Sequence, residues 1–498
     1  MALDWGAAAA CAEAEVAAWG EGLAPGGAIL AFDAAGIRVE AAGGVESLAT
    51  LAPFTGDTVV RYASVTKHFL AALALREGLV MEEPLGRHLP GLSVLMAAVT
   101  LGRALDMTGG LPDLRETLSL LGVSVHAASE PGPLLDFLGR HGALNFPAGS
   151  EISYSNTGYR LVETLLARKG AGFDDFVREI GGRLGVAFRA PETWFDAVPN
   201  LAPGYWKGAA GWQLGTAGLH LSASGSLTGS ARSLAVWAQS LLADRGPGEG
   251  VLARQGAERQ LADGRATGYG LGLARNRLGK VALIGHGGSH VGYKTYLLLA
   301  PEAGVGVVVV ANREDVASYG LAQKVMAALL GEALPRPAAR LPEGLFAMPG
   351  TPFWLEVKGS TATYLGAGEG LFEGGDGWAV SLSAHLPMRL RAEAGAIRGE
   401  IGHVARHFLP VKPEGDAAAL RGEWLCPGEG ARFTIERDRL AWGIGPLRQE
   451  ALLRPLGEGR FLVEARDGPW EKRFCLFPEA GGLRLVGNRS RVMRFERA

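Results

Sequence analysis

At 498 residues, with 48% hydrophobic and 20% charged residues, the chain has an ordinary globular composition and length for roughly three domains. A net charge of −2, with no long basic run and no Lys/Arg cluster interleaved with aromatics, argues against nucleic acid or an anionic membrane as the main partner. Cys11, Cys426 and Cys475 form no Cys-x-x-Cys pair and no disulfide framework, so reduced thiols are expected.

The alanine-rich N-terminus carries Asp4, Glu13 and Glu15 without a basic segment, which predicts an amphipathic helix rather than a signal peptide. No apolar run approaches the ~20 residues of a membrane helix, and a cytoplasmic location is the expectation. Gly27 to Phe32 and Ile37 to Glu40 read as two hairpin strands. Ser64-Val65-Thr66-Lys67 then opens a predicted helix whose apolar face is Phe69, Leu70, Leu73 and Ala74, with Gly78 as its stop. Residues 101 to 245 are helical and loop-rich, including Phe173 to Leu184 and a helix capped by Ser230 with Leu234, Trp237 and Leu241 inward. Strands return at Lys280 to Ile284, Tyr293 to Leu299 and Val305 to Val310, the last so valine-rich that burial on both faces is expected. A helix from Ala317 to Leu330 closes this part.

Three prolines between Leu334 and Pro342 mark a linker. Beyond it, short alternating segments such as Phe433 to Glu436, Phe461 to Glu464 and Phe474 to Phe477 predict small antiparallel barrels. The expected division is a first domain over 1–333, a linker over 334–344, and barrels over 345–415 and 416–498.

Three segments carry chemistry. A serine and a lysine one helical turn apart, Ser64 and Lys67, can face one cavity; the helix N-terminus favours an anion at the serine, and a buried lysine can accept the serine's proton. About one Ser-x-x-Lys arises by chance in a chain this long, so the pair needs company. Tyr154-Ser155-Asn156, after Phe146-Pro147-Ala148-Gly149, places a titratable hydroxyl and an orienting amide on one side of an extended turn. His286-Gly287-Gly288-Ser289 is expected to open the strand running to Leu299, its glycines admitting close approach of a ligand backbone.

In this order the three segments resemble the motifs of the penicillin-recognising serine hydrolases: class C β-lactamases, low-molecular-weight penicillin-binding proteins and their esterase and peptidase relatives. Asp106-Met107-Thr108-Gly109-Gly110-Leu111-Pro112-Asp113 and Tyr269-Gly270-Leu271-Gly272 are similar to the family's flanking signatures, and the resemblance covers about residues 20 to 332. It implies an α/β (α+β) β-lactamase-like domain with an antiparallel sheet and a helical subdomain. The His-led third motif and the two C-terminal β-rich modules, which resemble lipocalin-like barrels, look most like the D-stereospecific aminopeptidases.

The resemblance also implies an acyl-transfer mechanism. Ser64 attacks the carbonyl and Lys67 helps take its proton. Tyr154 protonates the leaving amine and shares the base role. Asn156 orients Lys67 and the substrate amide, and His286 hydrogen-bonds Tyr154 or the substrate. The N–H groups of Ser64 and Ser289, beside Gly288, form an oxyanion hole. In the segment Arg466-Asp467-Gly468-Pro469-Trp470, Asp467 corresponds to the aspartate that reads a substrate ammonium. No metal or cofactor is implied; β-lactams are candidate inhibitors and a homodimer is expected.

His286 in place of a lysine weakens carboxylate capture, although His290 and Lys294 lie near. His403 and His407 fall in a β-rich stretch, where residues four apart lie about 13 Å from each other, so a zinc site is not expected. The reading is a serine hydrolase releasing N-terminal D-amino acids from short peptides, amides or esters. The alternatives are a β-lactamase-like esterase, a D-Ala-D-Ala carboxypeptidase, or a penicillin-binding module that acylates without turnover.

Overall fold

Alternation along one valine-rich strand sets the architecture of the first domain. In the computed structural model, which describes all residues except Met1, Glu21, Gly22, His141, Ala339 and Arg340, the strand Val305–Ala311 is buried along its whole length. Val308 and Val310 face one apolar cluster, while Val305, Val307 and Val309 face another. A strand with period-two side chains and apolar residues at every position must be covered on both faces.

It lies inside a six-stranded antiparallel sheet ordered Gly36–Gly43, Gly27–Asp33, Val305–Ala311, Tyr293–Ala300, Val281–His290 and Ala274–Leu278. On one face pack the helices Trp5–Ala17 and Ser318–Leu330. The first offers Ala8, Ala12 and Val16, four apart and therefore on one stripe. The other face carries Ala231–Leu242, capped as expected by the Ser230 side chain, and the helical part of the domain.

The helix after Ser64 differs from its expected amphipathic form. Thr66–Arg76 is buried at every residue from Thr66 to Leu75, so it is the central helix of the domain, enclosed on all sides by the sheet and the surrounding helices. Gly78 takes φ +68° just beyond it, as a helix stop requires.

After the linker, whose Ala339 and Arg340 lie outside the described residues, the chain forms two closed eight-stranded antiparallel barrels. The first runs from Gly344–Ala347 to Val404–Pro410 and closes by pairing Phe346 with Pro410. The second runs from Gly422–Leu425 to Met493–Arg497 and closes by pairing Trp424 with Arg497. Side chains such as Trp354, Tyr364 and Phe408 fill the first, and Phe433, Leu453 and Phe495 the second.

The barrels are locked to the first domain at a buried junction. Glu151 pairs with Arg406 of the first barrel at 2.9 Å and with Arg491 of the second at 2.8 Å, and all three are nearly inaccessible. Among the described residues, no helix is long and apolar enough to cross a membrane.

Candidate active site

The site forms where the central helix, the helical region and the sheet edge meet. Ala63 adopts φ +51°, a left-handed conformation unusual for a residue with a side chain, immediately before Ser64. Thr66 holds this turn: its hydroxyl donates to the Ala63 carbonyl and accepts from the Leu227 N–H at 3.1 Å. On the sheet side, a Cβ added to Gly288 would stand 2.0 Å from the Tyr62 carbonyl oxygen, so glycine is required for the strand to reach the turn.

Lys67 Nζ lies 3.1 Å from Ser64 Oγ, and donates to Asn156 Oδ1 and to the Ser224 carbonyl, each at 2.8 Å. The phenol of Tyr154 donates to Ser64 Oγ at 2.6 Å. Burial holds Lys67 well below the ordinary amine range, against the opposing pull of Asp113. A neutral amine has two hydrogens and one lone pair. With both hydrogens given to Asn156 and Ser224, the lone pair is left facing the Ser64 hydroxyl. Burial pushes the Tyr154 phenol up to about 12, with Arg489 pulling it the other way.

Asp113 fixes Asn156. Its Oδ2 accepts from the Asn156 backbone N–H at 2.7 Å and from Nδ2 at 2.8 Å, leaving Oδ1 of the amide for Lys67. Asn156 ends the turn carrying Tyr154 and directly precedes the helix Thr157–Arg168.

His286 sits differently from expectation. Its motif closes the strand Val281–His290 rather than opening the next one, Tyr293–Ala300. Its ring centroid is 6.4 Å from that of Tyr154, and its hydrogen bonds go elsewhere. Nδ1 lies 2.6 Å from the Gly287 carbonyl, which can only accept, so Nδ1 carries the proton. Burial holds the imidazole well below its usual range; it is neutral, and Nε2 accepts from the Tyr269 hydroxyl at 2.8 Å. Ser289 Oγ accepts from Lys294, which is paired with Glu314 at 2.6 Å. Pairing with Ala274–Leu278 ends at Gly285, so among the described residues the edge from His286 to His290 has no strand partner on the nucleophile side.

The expectation for Asp467 is corrected. It ends the strand Phe461–Asp467 at a tight turn, and its carboxylate is taken by Lys472, by Ser124 Oγ at 2.7 Å and by the Val125 N–H at 2.7 Å. It anchors the barrel to the first domain and offers no free oxygen to an ammonium.

Other residues do reach the site from the barrels. His385 of the first barrel meets Tyr154 edge-on at 5.0 Å, and the guanidinium of Arg489 of the second lies 4.5 Å over the same ring. Sequence reasoning missed both, together with the Asp113 and Tyr269 contacts. The last two stood inside recognised flanking motifs, whereas nothing local marks Arg489 or His385.

A cavity of about 560 Å³ opens between the first domain and the barrels, lined among others by Asp113, Arg115, Asn156, Ser289, Trp470, Lys472 and Arg489. Ser64 lies in an adjoining recess that shares Arg115 and Asn156 with it. Among the described residues no cluster of three His, Cys, Asp or Glu side chains could hold a metal ion. His403 caps the Thr267 carbonyl, and His68 packs inside the core, accepting from Trp237 Nε1.

An antiparallel sheet sandwiched by helices, with a serine, a lysine and a phenol in mutual contact beneath it, defines a serine hydrolase of the β-lactamase fold. Residues 11–331 match the Beta-lactamase family, and the chain belongs to it. It is 25% identical over 394 residues to a D-aminopeptidase of Cereibacter sphaeroides, spanning 74% of this chain and 73% of that protein. The octameric penicillin-binding protein homologue from Pyrococcus abyssi superposes with a TM-score of 0.55 at 19% identity, covering 77% of this chain and 96% of its own. The D-amino acid amidase from Ochrobactrum anthropi SV3, solved with D-phenylalanine, gives 0.54 at 23% identity, covering 66% and 98%.

Proposed function

We propose that the protein hydrolyses the amide bond following a D-amino acid at the N-terminus of short peptides or amides, through an acyl-enzyme on Ser64. The observation that carries this reading is the contact of one hydroxyl with both a buried lysine amine and a phenol, at 3.1 Å and 2.6 Å. The preference for D-amino acids rests on the relatives, which are named D-aminopeptidase and D-amino acid amidase.

In the forward step Ser64 Oγ attacks the carbonyl carbon and its proton passes to the Lys67 lone pair. Tyr154, a phenol at neutral pH, gives its proton to the leaving nitrogen as the C–N bond breaks. The proton on Lys67 then restores the phenol. Water attacks the ester and gives a proton to Lys67, which passes it to Ser64 Oγ as the acyl C–O bond breaks and the acid leaves. The N–H groups of Ser64 and Ser289 are the proposed donors to the oxyanion, worth about 3 kcal/mol each in comparable sites.

Hydrolysis of D- and L-alanine p-nitroanilides by the parent and by Ser64→Ala tests the reading. D-isomer turnover by the parent, lost in the variant, is expected. Equal L-isomer turnover overturns the stereochemical part, and undiminished activity of Ser64→Ala overturns the nucleophile.

A further inference from the structure

The charges lining the large cavity are unbalanced in a way the proposed reaction does not use. Two of its three carboxylates are engaged. Asp113 holds Asn156, and Glu116 accepts from the backbone N–H groups of Arg489 and Ser490. The third, Glu471, borders the cavity but is exposed to solvent, between Trp470 and Lys472, which both turn toward the first domain. Lys472 is spent on Asp467 and Ser119.

Arg115 and Arg489 are not spent. Among the described residues neither guanidinium has an ion-pair partner; each only faces an aromatic ring, Arg115 that of Trp470 at 5.6 Å and Arg489 that of Tyr154. Both are half-buried; burial lowers Arg115, with Asp113 opposing and Arg489 adding to the shift. Asp113 and Glu116 lie near enough to act on them electrostatically, but neither carboxylate is bonded to a guanidinium, so both arginines keep their donors for an anion entering the cavity they line.

Arg489 is also held in place. The carbonyl of Arg489 accepts from the Asp113 N–H and from Asn145 Nδ2, each at 2.8 Å, and the next residue's hydroxyl accepts from Thr117 at 2.8 Å. The barrel loop is thus clamped from both sides onto the first domain, with its guanidinium aimed at the site.

We propose that Arg115 and Arg489 form an anion subsite that binds the C-terminal carboxylate of a short peptide substrate. This rests on the hydrolase reading above. Arg489 lies over Tyr154, the group assigned to protonate the leaving amine, so the carboxylate belongs to the leaving portion. The substrates are then short peptides with a free C-terminus, and amides lacking that carboxylate are poorer ligands. The subsite supplies from a barrel loop the carboxylate capture that a neutral His286 does not.

Calorimetric titration of the Ser64→Ala protein with D-alanyl-D-alanine and with D-alanyl-D-alaninamide tests this without requiring turnover. The two ligands share their ammonium and differ in the carboxylate. The acid should bind about tenfold or more tightly than the amide, since charge-assisted bidentate contacts exceed neutral ones. Adding Arg115→Gln or Arg489→Gln should bring the two affinities within about threefold. Equal binding of acid and amide, tighter binding of the amide, no detectable binding of either at millimolar concentration, or a gap surviving both arginine substitutions would each overturn it. The comparison in Ser64→Ala alone decides the matter if an arginine variant does not fold. The p-nitroanilide assay, whose substrates carry no carboxylate, judges the hydrolase reading separately.

Discussion

Lys67 and Tyr154 both touch the same hydroxyl, and their environments move them apart. Burial lowers the amine and raises the phenol, so at neutral pH the amine can hold a free lone pair while the phenol keeps its proton. The pH profile follows from the signs. Protonated Lys67 cannot accept from Ser64, so kcat/KM should rise as pH increases through the lowered lysine value and then stay level through the ordinary amine range. A profile still climbing toward about 12 would instead assign the base to the Tyr154 phenolate. Asp113 acts through Asn156 rather than on substrate. Asp113→Ala frees the amide to rotate and should lower kcat by about 10- to 100-fold with little change in KM, the scale of lost positioning groups. A change in KM alone would show that Asp113 serves binding.

At the level of elements, the site depends on how closely a strand approaches a turn. The Ser64 turn carries a left-handed Ala63, and Gly288 touches the Tyr62 carbonyl with no room for a Cβ. Gly288→Ala must push strand and turn apart, and an error of about 1 Å in a reacting group costs about 100-fold in rate. We expect that loss in kcat with the folded spectrum retained; parent-like kinetics would mean that the turn yields without cost. Much of this level was legible in the sequence. The serine–lysine spacing, the tyrosine–asparagine turn and the paired glycines each follow from local backbone rules. The local rules misplaced the third motif, because Val281 to His290 is one continuous strand whose hydrophobic alternation is broken by Gly285, Gly287 and Gly288. They likewise read the central helix as one-faced, since burial of Ala71 and Ala72 on its other sides depends on neighbours distant in the chain.

Across the whole molecule, the barrels are part of the site's wall. Arg489 and His385 stand on Tyr154 although they lie more than 200 residues beyond it in sequence, and no local pattern distinguishes them from surface loop residues. Asp467 shows the converse: a carboxylate on a hairpin turn is a reasonable ligand until Lys472, five residues on, folds back to claim it. The junction of Glu151 with Arg406 and Arg491 holds this arrangement. Glu151→Gln leaves two buried guanidiniums without a counter-charge and should cost about 3 kcal/mol, read as a lowered urea midpoint, with no change at the nucleophile itself. An unchanged midpoint would show that the barrels are held by their apolar contacts alone. The proposed reaction passes through a covalent bond to one atom, Ser64 Oγ. Mass spectrometry of the parent quenched in acid during turnover of D-alanine p-nitrophenyl ester tests it most directly. A single D-alanyl group on the peptide containing Ser64, absent from Ser64→Ala, is the predicted result; turnover with no adduct there, or with the adduct on another residue, would contradict it.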